Sequence, residues 1–275
     1  MANPIVAFQG ERGSFSEEAV YKLLGHRTRV LPCETFSATF HRVTKGEANA
    51  CLVPIENTLA GSVYESFDLL LESHLHIVGE VNLRIVHNLI APPGTARKDI
   101  RQVYSHPVAL AQCSRFFNQH PQIEKIPFYD TAGAVKMLAD RRLRGAAAIA
   151  SRVAAEVYRA RMLATHLEDH HENYTRFLLL SQTAKVSRQA NKVSIVFSTR
   201  NVPGALYKCL SVFALRDIDL TKMESRPLRG RPWEYFFYLD FVGNVKEERC
   251  RNALAHLGEV TNFLRVLGCY ESAKR

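Results

Sequence analysis

About the first 180 residues alternate short apolar runs with longer segments of helical spacing, and this alternation constrains the fold more than any other feature of the sequence. Strands are predicted at 5–8, 30–31, 50–53, 85–91, 103–107, 126–131 and 146–150, and helices at 14–24, 37–45 and 64–71. Strands that alternate with helices favour an α/β fold with parallel sheets, because each crossover helix covers a face of the sheet. The length of this region suits two lobes with a cleft between them.

Polar groups follow the first and third strands. Ser14 and Glu17 have capping-box spacing after a Gly-bearing turn, which predicts a helix start. Strand, turn and helix start together favour an anion site of backbone N–H groups, with a plain tight turn as an equal alternative. Asn57 follows the strand at 50–53, and it is either held by the local backbone or available to a ligand. Ligands of open α/β sheets bind at such strand ends.

Further polar residues end the next strands. Ser105 and His106 lead into a helix that begins near Pro107, and Gln112 lies within two turns of Ser105. The helix after the strand at 126–131 is capped by a residue at 130 or 131. These side chains are therefore expected near the same edge of a sheet.

The stretch 173–177 places a hydroxyl beside a guanidinium, just ahead of the apolar run 178–180. A strand that begins there holds Thr175 and Arg176 pointing to opposite sides. Such a pair could protonate and anchor a ligand. The alternative is that Thr175 is simply a β-branched strand residue.

The last third of the chain has a different pattern. Residues 182–191 form a polar linker, and the segments after it are a strand at 193–197, a helix at 204–215, strands at 220–223 and 234–241 with a turn at 226–232, a helix at 247–257 and a strand at 263–267. This βαββαβ order is the ferredoxin-like arrangement. Binding or dimerisation is the expected role of so small a domain.

Composition narrows the class of protein. At 275 residues and 47% hydrophobic composition the chain can fill about two domains. No apolar run approaches the roughly 20 residues of a membrane span, and the start leads directly into a strand, so no targeting peptide is expected and the predicted location is cytoplasmic. The net charge of +9 comes from dispersed Lys and Arg, which favours attraction of a small anionic substrate over nucleic-acid binding.

The six cysteines and the His-rich run at 166–172 are the candidates for metal or redox sites. The cysteines lie far apart without a C-x-x-C pair, which favours buried free thiols in a reducing compartment. The run at 166–172 matches no metal-site spacing, so a solvated loop and no metal are expected.

Several of these segments in this order resemble the prephenate dehydratase family, whose members convert prephenate to phenylpyruvate in phenylalanine biosynthesis. The matching pieces are 10–17, 54–58 with 61–62, 105–107 with Gln112, 130–134, 147–151 and 173–177. The tail resembles an ACT domain, because 204–206 and 224–227 match the two motifs that bind phenylalanine. One departure is Tyr158-Arg159-Ala160, where the family usually has Tyr-Gly-Leu.

The resemblance implies a two-lobed catalytic domain like the type II periplasmic binding proteins, followed by a ferredoxin-like βαββαβ ACT domain. The implied catalytic domain is 1–182, with lobe one at 1–78 and 165–182 and lobe two at 79–164, and the implied ACT domain is 192–270. It also implies decarboxylating dehydration of prephenate without a metal or organic cofactor. Arogenate as the substrate and a non-catalytic ligand-binding protein are the alternatives.

The resemblance also implies roles for individual residues. Thr175 donates to the leaving hydroxyl, with Asn57, Ser105 and Gln112 as its neutral catalytic neighbours. The expected substrate-binding residues are Glu56, Thr58, His106, Thr131, Ala132, Arg176 and Phe177. The expected phenylalanine-binding residues are Asn201, Gly204, Ala205, Leu206, Glu224, Ser225, Arg226 and Pro227. A homodimer or homotetramer paired through the small domain is expected, with L-phenylalanine as allosteric ligand.

Overall fold

The computed structural model of the chain describes residues 4–228, 230–231 and 233–273. The start of the chain at 1–3, and Arg229 and Pro232 in the turn predicted at 226–232, lie outside the described residues. Backbone contacts divide the chain into two compact units. The first comprises the chain up to Leu70 and Val81–Leu178, and the second comprises Leu71–Glu80 and the chain from Leu179 onward.

The first unit contains two sheets, and the first of them contains both parallel and antiparallel pairs. Its elements are β1 (Ile5–Gln9), α1 (Phe15–Leu24), β2 (Arg29–Cys33), α2 (Phe36–Thr44), β3 (Ala50–Asn57), β4 (Gly61–Ser62), α3 (Tyr64–Glu72), β5 (His76–Arg84) and β11 (Tyr174–Ser181). The strand order is β5–β11–β3–β1–β2, and β4 pairs with β3. The last residues of α3, the first half of β5 and the last residues of β11 belong to the second unit. The predicted helix start at Ser14 is confirmed, because its hydroxyl accepts a hydrogen bond from Glu17 N.

The second sheet of this unit has the order β10–β6–β9–β7–β8. Its elements are β6 (Asn88–Ala91), β7 (Gln102–Ser105), α4 (Pro107–Ala111), α5 (Ser114–Gln119), β8 (Glu124–Pro127), α6 (Thr131–Arg141), β9 (Ala146–Ala150), α7 (Arg152–Val157) and β10 (Arg161–Ala164). β7 is parallel to β8 and β9, whereas β6 is antiparallel to β9 and β10. We call the part of the unit built on the first sheet the first lobe, and the part built on this sheet the second lobe.

Several predicted boundaries differ from the structure. β3 continues through Pro54 to Asn57, and Pro54 lies beyond the residues that pair with β1. The strand predicted at 85–91 is shortened to β6, because the chain leaves the first sheet only after β5. The lobe boundary predicted at 78 therefore falls inside β5. β10 and α5 were not predicted from the sequence.

The second unit has the predicted βαββαβ order. Its elements are β12 (Lys192–Ser198), α8 (Ala205–Ala214), β13 (Leu220–Pro227), β14 (Tyr235–Val242), α9 (Glu248–Val260) and β15 (Phe263–Tyr270). The four strands form an antiparallel sheet in the order β13–β14–β12–β15. Its core is made by buried side chains of the strands and both helices, among them Phe197, Phe213 and Leu257.

The segment Leu71–Glu80 belongs to the second unit, although the sequence analysis placed it in the catalytic domain. Gly268 of β15 pairs in parallel with Ile77, and a Cβ at Gly268 would collide with the Ile77 carbonyl oxygen. Lys192 Nζ lies 2.7 Å from Glu80 Oε1, and the Arg265 guanidinium donates to backbone carbonyls of the same segment. Close backbone approach and buried polar contacts thus hold this segment in the second unit. Neither can be predicted from local sequence.

All six cysteines are free and buried, as expected. Burial raises the pKa of several of these thiols, most strongly those of Cys51 and Cys113. Within the described part of the chain, no helix is long and apolar enough to cross a membrane.

Candidate active site

Asn57, the last residue of β3, is held by the backbone and also faces other polar side chains. Its Oδ1 accepts hydrogen bonds from the backbone N–H groups of Leu59 (3.0 Å) and Ala60 (2.8 Å). Because a backbone N–H can only donate, these two bonds identify Oδ1 as the acceptor and fix the orientation of the amide. The backbone alternative is thus the one observed for Oδ1, and a ligand contact of Asn57 stays a prediction.

Asn57 Nδ2 points at the start of β11. It lies 2.7 Å from Asn173 Oδ1, 3.1 Å from the Tyr174 carbonyl oxygen and 3.0 Å from Thr175 Oγ1. Since an amide nitrogen can only donate, the Thr175 hydroxyl is the acceptor in this contact. Within the described part of the chain this is the only hydrogen bond of the Thr175 side chain, so its own proton is free for a ligand.

Gln112 brings the second lobe to this set. It follows α4 directly, and its Oε1 accepts from Asn173 Nδ2 at 2.9 Å. Its Nε2 lies 3.4 Å from Asn57 Oδ1, which is a long hydrogen bond. Three residues predicted from sequence, Asn57, Gln112 and Thr175, are thus brought together from two lobes. We call these three together with Asn173 and His87 the amide cluster.

Asn173 and His87 were not predicted as site residues. Asn173 is 0% exposed and bonds to both Asn57 and Gln112. His87 Nε2 lies 2.9 Å from Gln112 Oε1. Asn173 lies two residues before Thr175, and the need of a buried amide for hydrogen-bond partners is a signal that could have marked it. No sequence pattern marks His87, because its partners come from residues distant in the chain.

Ser105 lies at the end of β7, as predicted, but its hydroxyl is fully buried and donates to the Ile149 carbonyl oxygen at 2.6 Å. His106 follows it at the start of α4, where its Nδ1 accepts from Val108 N at 3.3 Å. Burial lowers the pKa of His106, and the nearby Asp130 carboxylate opposes that shift. The hydrogen bonds therefore leave both residues outside the amide cluster.

Two helix starts, the predicted anion site before α1 and the predicted cap of α6, already hold carboxylates of this chain. At α6, Asp130 Oδ1 accepts from Gly133 N at 2.7 Å, and burial raises the pKa of Asp130. Ala132 is 0% exposed, so its methyl group is not available to a ligand. Before α1, Glu17 Oε2 accepts from Gly13 N at 2.6 Å. The Glu17 side chain thus occupies the backbone N–H group of Gly13 in this turn.

Arg176 lies on the opposite face of β11 from Thr175, in keeping with strand alternation. Its Nη1 lies 3.3 Å from Glu56 Oε1, so two predicted substrate-binding residues contact each other. Phe177 is 2% exposed, so its ring packs in the core, and its contact with the substrate stays a prediction. Thr58 joins β3 to β11, because its hydroxyl donates to the Glu172 carbonyl oxygen and accepts from Tyr174 N.

A second set of contacts joins the lobes through charged groups. Glu11 accepts hydrogen bonds from the Tyr129 hydroxyl at 2.9 Å and from Lys136 Nζ at 3.0 Å. Desolvation and the Glu11 carboxylate raise the pKa of Tyr129. Beside them the Ser151 hydroxyl donates to the Gly13 carbonyl oxygen at 2.6 Å. We call these five residues the charged clasp.

The run at 166–172 is not the fully solvated loop that was expected. Glu168 is 5% exposed, and its Oε2 accepts from His87 N at 2.9 Å. The ligand atoms of His166, Glu168 and His171 all lie within 4.8 Å of one another. The Arg84 guanidinium already lies among them, 3.7 Å from Glu168 Oε1 and 3.5 Å from His171 Nδ1. A cation would have to displace this guanidinium, so the donor set fits an ion pair better than a metal.

In the second unit, the predicted phenylalanine-binding residues occupy the ends of two elements. Gly204 has φ +76° and caps α8 with Asn201 exposed nearby, while Leu206 packs on the core. On β13 the side chains alternate, so Ser225 is exposed and Glu224 is half-buried. Glu224 lies 3.8 Å from Lys222. Arg226 and Pro227 end the same strand, and Ala205 begins α8.

Comparison with known proteins adds three findings. The chain is 44% identical to arogenate dehydratase/prephenate dehydratase 2, chloroplastic, from Arabidopsis thaliana, over 96% of this chain and 72% of the relative. A prephenate dehydratase from Arthrobacter aurescens, solved with L-Phe, superposes with a TM-score of 0.89 at 32% identity, covering 97% of this chain and 89% of that one. GqqA, described as a novel type of quorum quenching acylase, superposes with 0.90 at 33% identity, covering 98% of each chain.

The profile of one family also matches a continuous span of this chain. That family is prephenate dehydratase, and the match covers residues 6–185, which include the whole amide cluster. The predicted fold class is confirmed by the solved members of this family. The chain belongs to the prephenate dehydratase family and is, like its members, an enzyme of the lyase class.

Proposed function

We propose that this enzyme carries out the decarboxylating dehydration of prephenate to phenylpyruvate, with Thr175 as the donor to the leaving hydroxyl. The observation that carries the proposal is the contact between Asn57 Nδ2 and Thr175 Oγ1 at 3.0 Å. This contact makes the Thr175 oxygen an acceptor and leaves its proton available. Gln112 Nε2 offers a second donor beside it, since its one contact to Asn57 is long.

The reaction needs little from the protein. The bond from the ring to the departing carboxylate breaks, its electron pair enters the ring, and the bond to the hydroxyl oxygen breaks as the ring becomes aromatic. The hydroxide leaves while it accepts a hydrogen bond from Thr175, and it takes up its proton from solvent to become water. A hydrogen bond from Thr175 becomes stronger as charge develops on this oxygen, and that difference between ground state and transition state lowers the barrier.

The neutrality of the amide cluster suits a decarboxylation. A cation beside the departing carboxylate would stabilise the ground state and slow the loss of carbon dioxide. Arg176, the expected carboxylate anchor, lies on the opposite face of β11 and contacts Glu56. Its anchoring role stays a prediction, and it requires the guanidinium to be shared between Glu56 and the substrate.

Arogenate is a second candidate substrate, because the relative from Arabidopsis thaliana is named for both activities. Arogenate carries an amino group where prephenate has a keto oxygen, and the chemistry at the ring is the same. The acylase described for GqqA requires an activated nucleophile or water. In the described site Thr175 faces an amide and Ser105 a carbonyl, so the hydrogen bonds give neither hydroxyl a base.

The test is an assay of the purified full chain with prephenate and arogenate, following phenylpyruvate and phenylalanine. Release of an acyl group from N-acyl substrates is measured in parallel. Turnover of either ring substrate with loss of carbon dioxide supports the proposal. A protein that binds both but converts neither would be a binding protein, and acyl release alone would place the chemistry elsewhere.

We also propose that L-phenylalanine binds the second unit and inhibits the enzyme. The Arthrobacter aurescens protein was solved with L-Phe. In this chain the start of α8 and the exposed Ser225 of β13 supply N–H and hydroxyl groups for a zwitterionic ligand. Couplings of about 1 to 3 kcal/mol would change activity about 5- to 150-fold. Pairing of two small domains into a dimer or tetramer, and a cytoplasmic location, stay predictions.

A substitution tests this regulation better than a truncation after residue 182. Truncation would leave Leu71–Glu80 without β15, with which it packs in the second unit. Ser225→Ala should raise the phenylalanine concentration needed for half-inhibition while kcat without phenylalanine is unchanged. Thr221→Ala, which removes a hydroxyl from the same exposed face of β13, is the matched control. Equal inhibition of all three proteins would place phenylalanine somewhere other than Ser225.

A further inference from the structure

His87 lies between β5 and β6, 2% exposed, and its backbone is fixed on both sides. Its N–H donates to Glu168 Oε2 at 2.9 Å, and its carbonyl oxygen accepts from Leu167 N at 2.9 Å. The ring packs edge to face on Phe15, with centroids 5.6 Å apart. The imidazole is therefore held rigidly, and among the described residues only Gln112 forms a hydrogen bond with its Nε2.

The direction of every hydrogen bond between Asn57 and His87 follows from the backbone. Leu59 N and Ala60 N make Asn57 Oδ1 an acceptor, so Asn57 Nδ2 must donate to Asn173 Oδ1. Asn173 Nδ2 must then donate to Gln112 Oε1.

The same chain of donors sets the tautomer of His87. Gln112 Oε1 can only accept, so His87 Nε2 carries a proton and donates to it at 2.9 Å. Two donors, from His87 and Asn173, thus converge on one oxygen of Gln112. With Oε1 held by both, the Nε2 group of Gln112 is directed toward Asn57 and the Thr175 side of the cluster.

The other ring nitrogen shows that His87 is neutral. His87 Nδ1 is buried and meets no hydrogen-bond partner among the described residues. A proton on Nδ1 would be a buried donor without an acceptor, and burial lowers the pKa of this imidazole. The charged group that faces His87 is Glu168, which in turn contacts Arg84 and His166.

We propose that His87 is a positioning residue for the reaction: as the neutral Nε2–H tautomer it holds Gln112 Oε1, so that Gln112 presents its N–H groups to the substrate beside Thr175. This inference rests on the proposed dehydratase function. His87 does not touch the reacting atoms, and it acts only through Gln112. Without it, the Gln112 amide can rotate and offer its oxygen, which cannot donate, to the leaving hydroxyl.

A double-mutant cycle tests the proposal in the full-length enzyme. His87→Leu removes the donor and should lower kcat between about tenfold and 10²-fold with KM changed less than about threefold, because misplacement of a donor acts on the transition state. In a Gln112→Ala background the same substitution should lower kcat less than about twofold. His87→Gln, which restores an N–H donor, should recover part of the loss. Equal losses in both backgrounds would overturn the proposal.

The control is His120→Leu, which removes a half-buried imidazole that contacts the Phe116 carbonyl oxygen outside the cluster. Its kcat should match wild type. Thermal unfolding of each variant separates lost folding from lost catalysis. A His120→Leu enzyme as slow as His87→Leu would mean that any imidazole in this region supports activity, and the positioning role would be lost.

A measurement without turnover separates this inference from the proposed function. Nitrogen-15 NMR of the imidazole rings reports the tautomer, and the His87→Gln spectrum identifies the signal of His87. A neutral ring with its proton on Nε2 at pH 7 supports the proposal. A proton on Nδ1, or a charged ring, overturns it even if the enzyme converts prephenate. If neither substrate is converted but the Nε2–H tautomer is found, the dehydratase function fails alone.

Discussion

Two sets of contacts join the same two lobes, and they differ in charge and burial. The amide cluster joins them through neutral groups, with Gln112 bonded to Asn173 at 2.9 Å. The charged clasp joins them through Glu11 and Lys136 at 3.0 Å, with side chains that are 27% and 43% exposed. Buried neutral groups fix the direction of each hydrogen bond, whereas exposed ion pairs contribute little and tolerate change. Under the proposed function the amide cluster takes part in the reaction, whereas the exposed pair of the charged clasp only joins the lobes.

The largest effect is expected inside the amide cluster. Thr175→Val keeps the shape of the side chain and removes its proton, so kcat should fall by about 10² or more, the scale of one lost transition-state donor. KM should change far less. Steady-state kinetics with Thr44→Val, an exposed hydroxyl in α2, is the control. A kcat within a few-fold of wild type would reduce Thr175 to a strand residue and remove the main distinction between the two sets.

The next effect concerns stability at the charged clasp. Gly13 has φ +83°, and a Cβ there would lie 2.6 Å from the Ala154 Cα. Gly13→Ala should therefore lower the free energy of unfolding by about 2 kcal/mol, from backbone strain and a forced shift of α7. Gly25→Ala is the matched control, since its φ is also positive but no atom of the described residues lies within 4 Å of a Cβ placed there. If urea unfolding gives the same loss of stability for both variants, the positive φ alone explains it and the contact with Ala154 contributes nothing.

A smaller effect is expected on the pH dependence of stability, and it concerns His87 of the amide cluster. Burial lowers the pKa of His87 in the folded state, so the unfolded chain binds its proton at a higher pH. The contribution of His87 to the free energy of unfolding is therefore fully present above pH 6.5, the pKa of the unfolded state. It is lost as the pH falls toward the lower pKa of the folded state. The slope is at most about 1.4 kcal/mol per pH unit for one proton.

Urea unfolding across this pH window should thus show a steeper acid loss for wild type than for His87→Leu. The free energies are compared as a difference, so that the other histidines cancel. Parallel curves would show that His87 titrates normally, and the amide cluster would then contain a group that changes charge.

The smallest effect is expected at Lys136. Lys136→Met breaks the exposed pair with Glu11, and the free energy of unfolding should change by less than about 1 kcal/mol. Its kcat should stay within about twofold of wild type, because no member of the amide cluster contacts it. A kcat loss comparable to that of Thr175→Val would show that the charged clasp takes part in the reaction. The functional distinction between the two sets would then be wrong.

Much of the fold was predictable from local sequence. Ser14 and Asp130 cap helices where caps were predicted, and the βαββαβ order of the tail is confirmed. The less accurate boundaries were those set by pairing with distant strands. β3 continues through Pro54, and β5 runs to Arg84, because register with neighbouring strands overrides local propensity.

The sequence by itself determined the alternation of strands and helices, the positions of the caps and the presence of Asn57, Gln112 and Thr175 at element ends, because each depends on residues close together in the chain. Only the tertiary structure decided that His87 and Asn173 join them and that Arg176 contacts Glu56 on the opposite face. It also decided that Leu71–Glu80 packs with the second unit. These features depend on directional hydrogen bonds between residues far apart in sequence, and no local pattern encodes the direction of a bond whose partner is brought in by folding.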